Sequence, residues 1–370
     1  MRRYIMVGGF LGAGKTTAVA SLAQALKLRG LKVGLITNDQ GSNMVDTAML
    51  RSRGFATEEI PGGCFCCRFN SLVEAAGKLT STTAPDVFIA EPVGSCTDLI
   101  ATVTYPLRRM YGDQFSVAPL SVMLDPIRAL RIFGVEEGSR FSDKVRYIYL
   151  KQIEESDLIV INKVDVVSSG QVQALKKAIT TEVPGKRVIE TSARLGIGMR
   201  DWLDKILEGT PKSGEAIQVN YETYAEGEAL LGWLNCTVRI SGTRPWNGND
   251  VLRDLAAAVH RRLKASGAEV AHLKMTLSTE AGLNEIAVIN LVRNDYVPEL
   301  SLELSEPLTA RQLIINARVE MAPEQILSAV CAGLDELSRQ SPDLQIRMEH
   351  EEHFRPGKPQ PTHRLAALAD

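Results

Sequence analysis

Gly9-Phe10-Leu11-Gly12-Ala13-Gly14-Lys15-Thr16 carries the first recognisable chemistry of the chain. Glycines at 9, 12 and 14, with the small Ala13 among them, let backbone N–H groups close around phosphate oxygens. Lys15 brings a cation to the β- and γ-phosphates. The Thr16 hydroxyl, followed by Thr17, is suited to Mg²⁺. A helix opening here adds its positive end to the same anion site. A second group, Asn162-Lys163-Val164-Asp165, selects the base. The Asp165 carboxylate can accept hydrogen bonds from guanine N1 and its amino group, a pattern adenine does not offer. The Asn162 amide suits the ring edge, and the Lys163 stem suits the base plane. Ser192-Ala193 then places backbone amides where they can reach the guanine oxygen. These residues favour GTP over ATP.

A third group is Gly62-Gly63-Cys64-Phe65-Cys66-Cys67. Zinc and other soft divalent ions take thiolates, and a tetrahedral site needs about four donors. Three thiols on one short loop leave room for an exchangeable ligand, which suits a carrier better than a permanent structural metal. A redox Cys64/Cys67 pair has the required spacing, but Cys66 between them and the phosphate loop upstream favour metal. Of the other three cysteines, Cys96 reads as a small buried apolar side chain, with proximity to the nucleotide as the alternative. Cys236 and Cys331 read as core. His350 and His353, among Glu349, Glu351 and Glu352, read as a solvated strand end.

The elements that must position these groups come from hydrophobic patterning. Arg3–Val7, Lys32–Thr37, Val87–Ala90, Leu120–Leu124, Leu158–Ile161 and Arg187–Glu190 read as short buried strands. Helical patterns lie at Thr16–Arg29, Asn70–Thr80, Asp143–Glu155, Gly170–Glu182 and Met199–Leu207. Strands alternating with helices predict an α/β fold, a P-loop doubly wound and mainly parallel sheet over 1–210. Ligands then bind beyond the carboxyl ends of the strands. Residues 220–354 have a different pattern: strand, helix and strand at Trp233–Ile240, Asp250–Ala265 and Val270–Leu277. A similar set follows at Leu313–Val319, Pro323–Gln340 and Leu344–Met348, with a further strand at Glu285–Val292. This duplication predicts a smaller α+β, ferredoxin-like domain. Pro356, Pro359 and Pro361 mark 355–370 as an extended tail without a regular element.

Composition bounds the possibilities. The chain has 370 residues, 45% apolar and 23% charged, with 42 Lys plus Arg against 44 Asp plus Glu. That balance excludes a bulk polybasic nucleic-acid binder, and no apolar run is long enough for a membrane span. The start resembles a signal peptide only superficially, because Lys15 interrupts it, so a cytoplasmic protein is expected. Six cysteines are too few for a disulfide scaffold.

Over residues 1 to about 208 the chain resembles the CobW-like GTPases, the metal-handling or cofactor-handling relatives of UreG, HypB and MeaB. The resemblance rests on the phosphate loop, Asn38-Asp39, the Gly-Gly-Cys-x-Cys-Cys loop, Glu91-Pro92-Val93-Gly94, Asp125 and Asn162-Lys163-Val164-Asp165. It implies slow GTP hydrolysis coupled to delivery of zinc or cobalt, held by Cys64, Cys66 and Cys67, to a client metalloprotein. It also implies that Glu91 replaces the usual Walker-B Asp and holds Mg²⁺ with Thr16, while Gly94 senses the γ-phosphate. Lys15, Glu91 and Asp39 are the implied catalytic groups. Relatives commonly carry Asn-Glu-Phe-Gly-Glu in the switch, where this chain has Asn38-Asp39-Gln40-Gly41-Ser42. Asp39 keeps a shortened carboxylate, without the aromatic and second acid. The tail from Phe354 to Arg364 resembles that of CobW-type proteins associated with corrinoid-dependent methyl transfer. The alternative function is therefore a GTP-dependent switch for a corrinoid (cobalamin) enzyme, with the cysteines structural. A homodimer is compatible with either.

Overall fold

The chain's computed structural model describes residues 1–41, 45–211, 213–279 and 282–368. Its contacts divide it into two units: Met1–Gln40 with Phe55–Gly227 and Lys358–Asp370, and Gly41–Gly54 with Glu228–Gly357.

The first unit is built on strands β1 (Arg2–Gly9), β2 (Val33–Asn38), β3 (Ala56–Ile60), β4 (Val87–Glu91), β5 (Phe115–Val117), β6 (Ser121–Leu124), β7 (Leu158–Ile161) and β8 (Arg187–Glu190). Their order is β3-β2-β4-β1-β6-β7-β8, with β5 beside the start of β1, and every pairing is parallel. The residues of β4 and β7 are all buried, which is why they read as unbroken apolar runs. Helices α1 (Lys15–Leu28), α3 (Phe69–Thr83), α6 (Asp143–Glu155), α7 (Ser169–Glu182) and α8 (Met199–Glu208) follow five of these strands, as the sequence predicts. Short helices α4 (Tyr105–Tyr111) and α5 (Pro126–Ile132) complete the first unit up to α9 (Tyr221–Leu230). The expected tail carries one regular element after all: β16 (Ala367–Leu368) pairs with β9 (Gly214–Glu215).

The second unit is an antiparallel sheet of β10 (Gly232–Trp246), β11 (Val270–Thr279), β12 (Gly282–Leu291), β13 (Glu299–Leu302), β14 (Leu308–Val319) and β15 (Leu344–Phe354). In the order β13-β12-β11-β14-β10-β15, two split strand–helix–strand units interlock, through α10 (Gly248–Ala265) and α11 (Pro323–Gln340). That is the ferredoxin-like arrangement, extended by β12 and β13. Alternating residues of each strand face opposite sides. One side, with Leu313 and Ile315 of β14, packs against Leu255 and Val259 of α10 and Val330 of α11. The other side, with Ile286 and Val288 of β12 and Ile314, is covered by Val45 and Met49 of α2 (Val45–Ser52). Among the described residues, no helix is long and apolar enough to cross a membrane.

Candidate functional site

Parallel strands bring the residues that follow β1, β2, β4, β7 and β8 to one edge of the first sheet, where doubly wound folds bind ligands. Gly9, Gly12, Ala13, Gly14, Lys15, Thr16 and Thr17 occupy the turn from β1 into α1. Gly14 sits immediately before the helix with φ of 90°, left-handed backbone that admits glycine and strains a side chain. The first amides of α1 thus face the turn with no side chain capping them, an arrangement suited to phosphate oxygens. Lys15 is buried and donates to the Phe10 carbonyl at 3.4 Å. The Thr16 hydroxyl donates to Glu91 Oε1 at 3.0 Å, so two buried oxygen donors face each other between the start of α1 and the end of β4. Oxygen donors of this kind fit Mg²⁺.

Asn162 and Lys163, expected from the sequence to help select the base, are braced against the phosphate loop. Asn162 Nδ2 donates to the Ala13 carbonyl at 2.9 Å, while its Oδ1 accepts from the Thr191 hydroxyl and the Ala193 amide. Lys163, at φ 55°, donates to the Gly12 carbonyl at 2.7 Å and to Asp125 Oδ2 at 2.8 Å. Asp125 in turn caps α5 by accepting from the Arg128 amide, and Arg128 donates to the Leu11 carbonyl. Asp165 stands exposed in the 3₁₀ turn Val164–Val166. The Ala193 amide is held by Asn162 here, and the Ser192 hydroxyl accepts from the Leu195 amide at 3.2 Å. Arg128 gives no motif signal in the sequence. Its guanidinium lies 4.9 Å from the Phe141 ring centroid and 5.5 Å from that of Phe10, backing the loop.

Asn38 and Asp39 close β2. Asn38 Nδ2 donates to the Ile60 carbonyl at 2.9 Å and to the Gly63 carbonyl at 2.6 Å, tying this strand end to the cysteine loop. Asp39 Oδ1 accepts from the Gln40 amide at 2.7 Å. Ser42, the last residue of the switch string, lies outside the described residues.

The thiols of Cys64, Cys66 and Cys67 converge, with Sγ–Sγ distances of 2.7, 3.3 and 3.7 Å. All three are free, the first two buried and the third half-buried. Hydrogen bonds from Cys66, Cys67 and then Cys96 hold the Cys64 thiol well below its ordinary pKa, against the effect of burial. The partnership with Cys64 pushes Cys66 well up and Cys67 to about 11. Three thiols converging within 4.8 Å of one another are a donor set for a soft divalent ion.

The tail lies over this loop. The Gln360 amide donates to Cys67 Sγ at 3.2 Å, the Thr362 amide to the Cys66 carbonyl at 2.8 Å, and the Thr362 hydroxyl to the Cys67 carbonyl at 3.0 Å. Arg364 pairs with buried Asp98 at 2.7 Å, and Asp98 also accepts from the Tyr221 hydroxyl at 2.6 Å. Burial, then the bond to Asp98, raises the Tyr221 pKa. Nothing in the sequence pattern placed the tail here, because most of these contacts use backbone atoms.

Residues 3–190 match the family model described as the CobW/HypB/UreG nucleotide-binding domain. The chain is 32% identical to the zinc chaperone YeiR of Escherichia coli over 181 residues, covering 48% of this chain and 51% of YeiR. It is 28% identical to the zinc chaperone CobW of Sinorhizobium over 202 residues, covering 49% and 56%. The chain thus spans about half the length of the curated relatives it matches. Among solved structures, nickel-bound HypB from Helicobacter pylori aligns with a TM-score of 0.41 at 20% identity, over 55% of this chain and 85% of that one. With the matched stretch covering the Gly9–Thr16 turn, the cysteine loop and Asn162–Asp165, this chain belongs to the CobW/HypB/UreG family.

Proposed function

We propose that this protein hydrolyses GTP slowly and uses its nucleotide state to control binding of zinc, and delivery of that zinc to a client metalloprotein. The observation that carries the reading is the Asn38–Gly63 hydrogen bond, which joins the end of the switch strand to the loop holding three convergent thiols. Zinc is favoured over cobalt because the donors are thiols and the similar proteins YeiR and CobW are named zinc chaperones. Six free cysteines suit a reducing compartment, the cytoplasm.

The chain's own groups supply the hydrolytic chemistry by position. The glycine loop and the α1 amides hold the phosphates, and Lys15 offsets charge on the β- and γ-oxygens. Water attacking in line needs mostly orientation and charge neutralisation. Thr16 and Glu91 would hold Mg²⁺, which supplies further neutralisation of the phosphate oxygens. Asp39, whose Oδ1 accepts from the Gln40 amide at the end of β2, is the group we assign to orienting the attacking water.

The test is zinc titration of the apo, GDP-bound and Mg²⁺–GTP-analogue forms. Coupling between two sites typically amounts to roughly 5–150-fold in affinity and is reciprocal. We expect zinc affinity to differ among the three forms within that range. Equal affinity in all three refutes the coupling.

A further inference from the structure

Three thiols leave a tetrahedral zinc one donor short. A fourth sulfur, outside the trio whose sulfurs lie within 4.8 Å of one another, contacts one of them. Cys96 is 1% exposed, and its thiol is hydrogen-bonded to that of Cys64 although the two lie on separate segments. Four thiolates about 2.3 Å from one ion stand about 3.8 Å apart. The loop sulfurs, at 2.7 to 3.7 Å, need only spread slightly to reach that spacing around an ion. His363, which lies in the overlying tail, is turned edge-on to the Phe69 ring, with centroids 5.1 Å apart. We propose that Cys96 is the fourth ligand, completing a four-sulfur site with Cys64, Cys66 and Cys67. This rests on the reading of the cysteine loop as a zinc site.

The position of Cys96 gives the fourth ligand a second consequence. Its amide donates to the Val93 carbonyl at 3.0 Å, closing a tight turn directly after Glu91. Gln152 Nε2 on α6 donates to both the Gly94 carbonyl, at 2.9 Å, and the Cys96 carbonyl, at 2.8 Å. Gly94 itself is pressed onto the phosphate loop: a Cβ there would meet the Leu11 side chain at 2.7 Å and its backbone nitrogen at 3.0 Å. Residues 94–96 are therefore braced as one piece, in contact with the phosphate loop at one end and with the Cys64 thiol at the other. A shift of Gly94 against the phosphates withdraws one sulfur and leaves the ion on three. Retention and release of zinc become a change in ligand number from four to three.

X-ray absorption at the zinc edge, on the full chain loaded with one zinc, counts sulfur ligands directly. We expect four sulfurs at about 2.3 Å in the wild type and three in Cys96→Ser, with zinc affinity of the variant lowered at least tenfold. Because a polar substitution at a buried position could disturb folding, Cys96→Ala is measured beside it, with GTP-analogue binding as the check on the fold. The cobalt-substituted wild type gives a second readout without any variant. Its thiolate charge-transfer band should weaken between the two nucleotide states that differ most in metal affinity. Three sulfurs in the wild type, or an unchanged sulfur count in both variants, overturns the assignment of Cys96 while leaving a zinc site in place. A wild type that binds no zinc overturns the metal reading itself, and this assignment with it.

Discussion

Asp165 is exposed while its neighbours Asn162 and Lys163 are tied to the phosphate loop, so its carboxylate is the part of the motif left to face a base. Asp165→Asn should weaken GTP binding and improve binding of xanthine nucleotides, because the amide reverses donor and acceptor at the guanine edge. Equal binding of ATP and GTP by the wild type, in a competition assay, would overturn the base assignment. A second residue sets a pH dependence. Glu155 is buried at the end of α6, where its carboxyl accepts from the Ile100 amide and the Thr97 hydroxyl, both at 3.3 Å. Burial first, and then the charge of Asp98, raises its pKa from 4.5 to about 8. Below 4.5 both folded and unfolded chains keep the proton, and the full stability is present. Between 4.5 and about 8 only the unfolded chain releases it, so stability falls as pH rises and levels off above about 8. Glu155→Gln should match the wild type near pH 5 and exceed it near pH 8, by an amount on the order of a few kcal/mol. Thermal melts of the two proteins that stay parallel across this range would refute it.

At the scale of elements, α2 shows where local pattern stops being informative. Its helical run is short, and its apolar residues Val45 and Met49 find partners only at Ile286, Val288 and Ile314. The amide of Val45 is met by Asn316 Oδ1 at 3.1 Å, and Asp46 pairs with Lys274 at 2.6 Å. Met49→Ala should cost about 2 kcal/mol in its packing. Amide exchange should accelerate over residues 45–52 and stay unchanged in α1. Uniform acceleration across both helices would mean that α2 is not separately anchored. The major strands of the first sheet were legible because buried parallel strands are continuous apolar runs. β3 was not, since Thr57, Glu58 and Glu59 interrupt its apolar pattern. The cysteine loop was legible as a donor cluster by spacing alone. The contact of Cys96 with it was not, because the pairing crosses from one segment to another and carries no local periodicity.

On the scale of the whole molecule, each unit is completed by a segment from outside its main stretch of chain. Residues 41–54 leave the first unit between β2 and β3 and belong by contacts to the second. Residues 358–370 belong to the first, although they follow the whole of the second. A chain ended after Gly227 would thus keep the β1–β8 sheet but leave Val45 and Met49 without Ile286, Val288 and Ile314. We expect that truncated protein to bind an apolar dye and to be cut by protease within 45–52, while the full chain resists. A truncated chain as resistant as the full one would show that α2 has a seat independent of the second unit. This reciprocal exchange of segments is also why contiguous ranges read from composition do not coincide with the units drawn by contacts.

The tail that covers the cysteine loop also imposes an order in time. Gln360 and Cys67 are 293 positions apart in the chain. Ribosomes add about 5–20 residues per second, so Cys64, Cys66 and Cys67 exist for about 15–60 s before the residues that bond to them are made. In that interval the Cys67 sulfur lacks the Gln360 amide, and the Cys66 and Cys67 carbonyls lack Thr362. The newborn loop thus lacks these bonds throughout synthesis of the second unit, and they form only after that unit has been made.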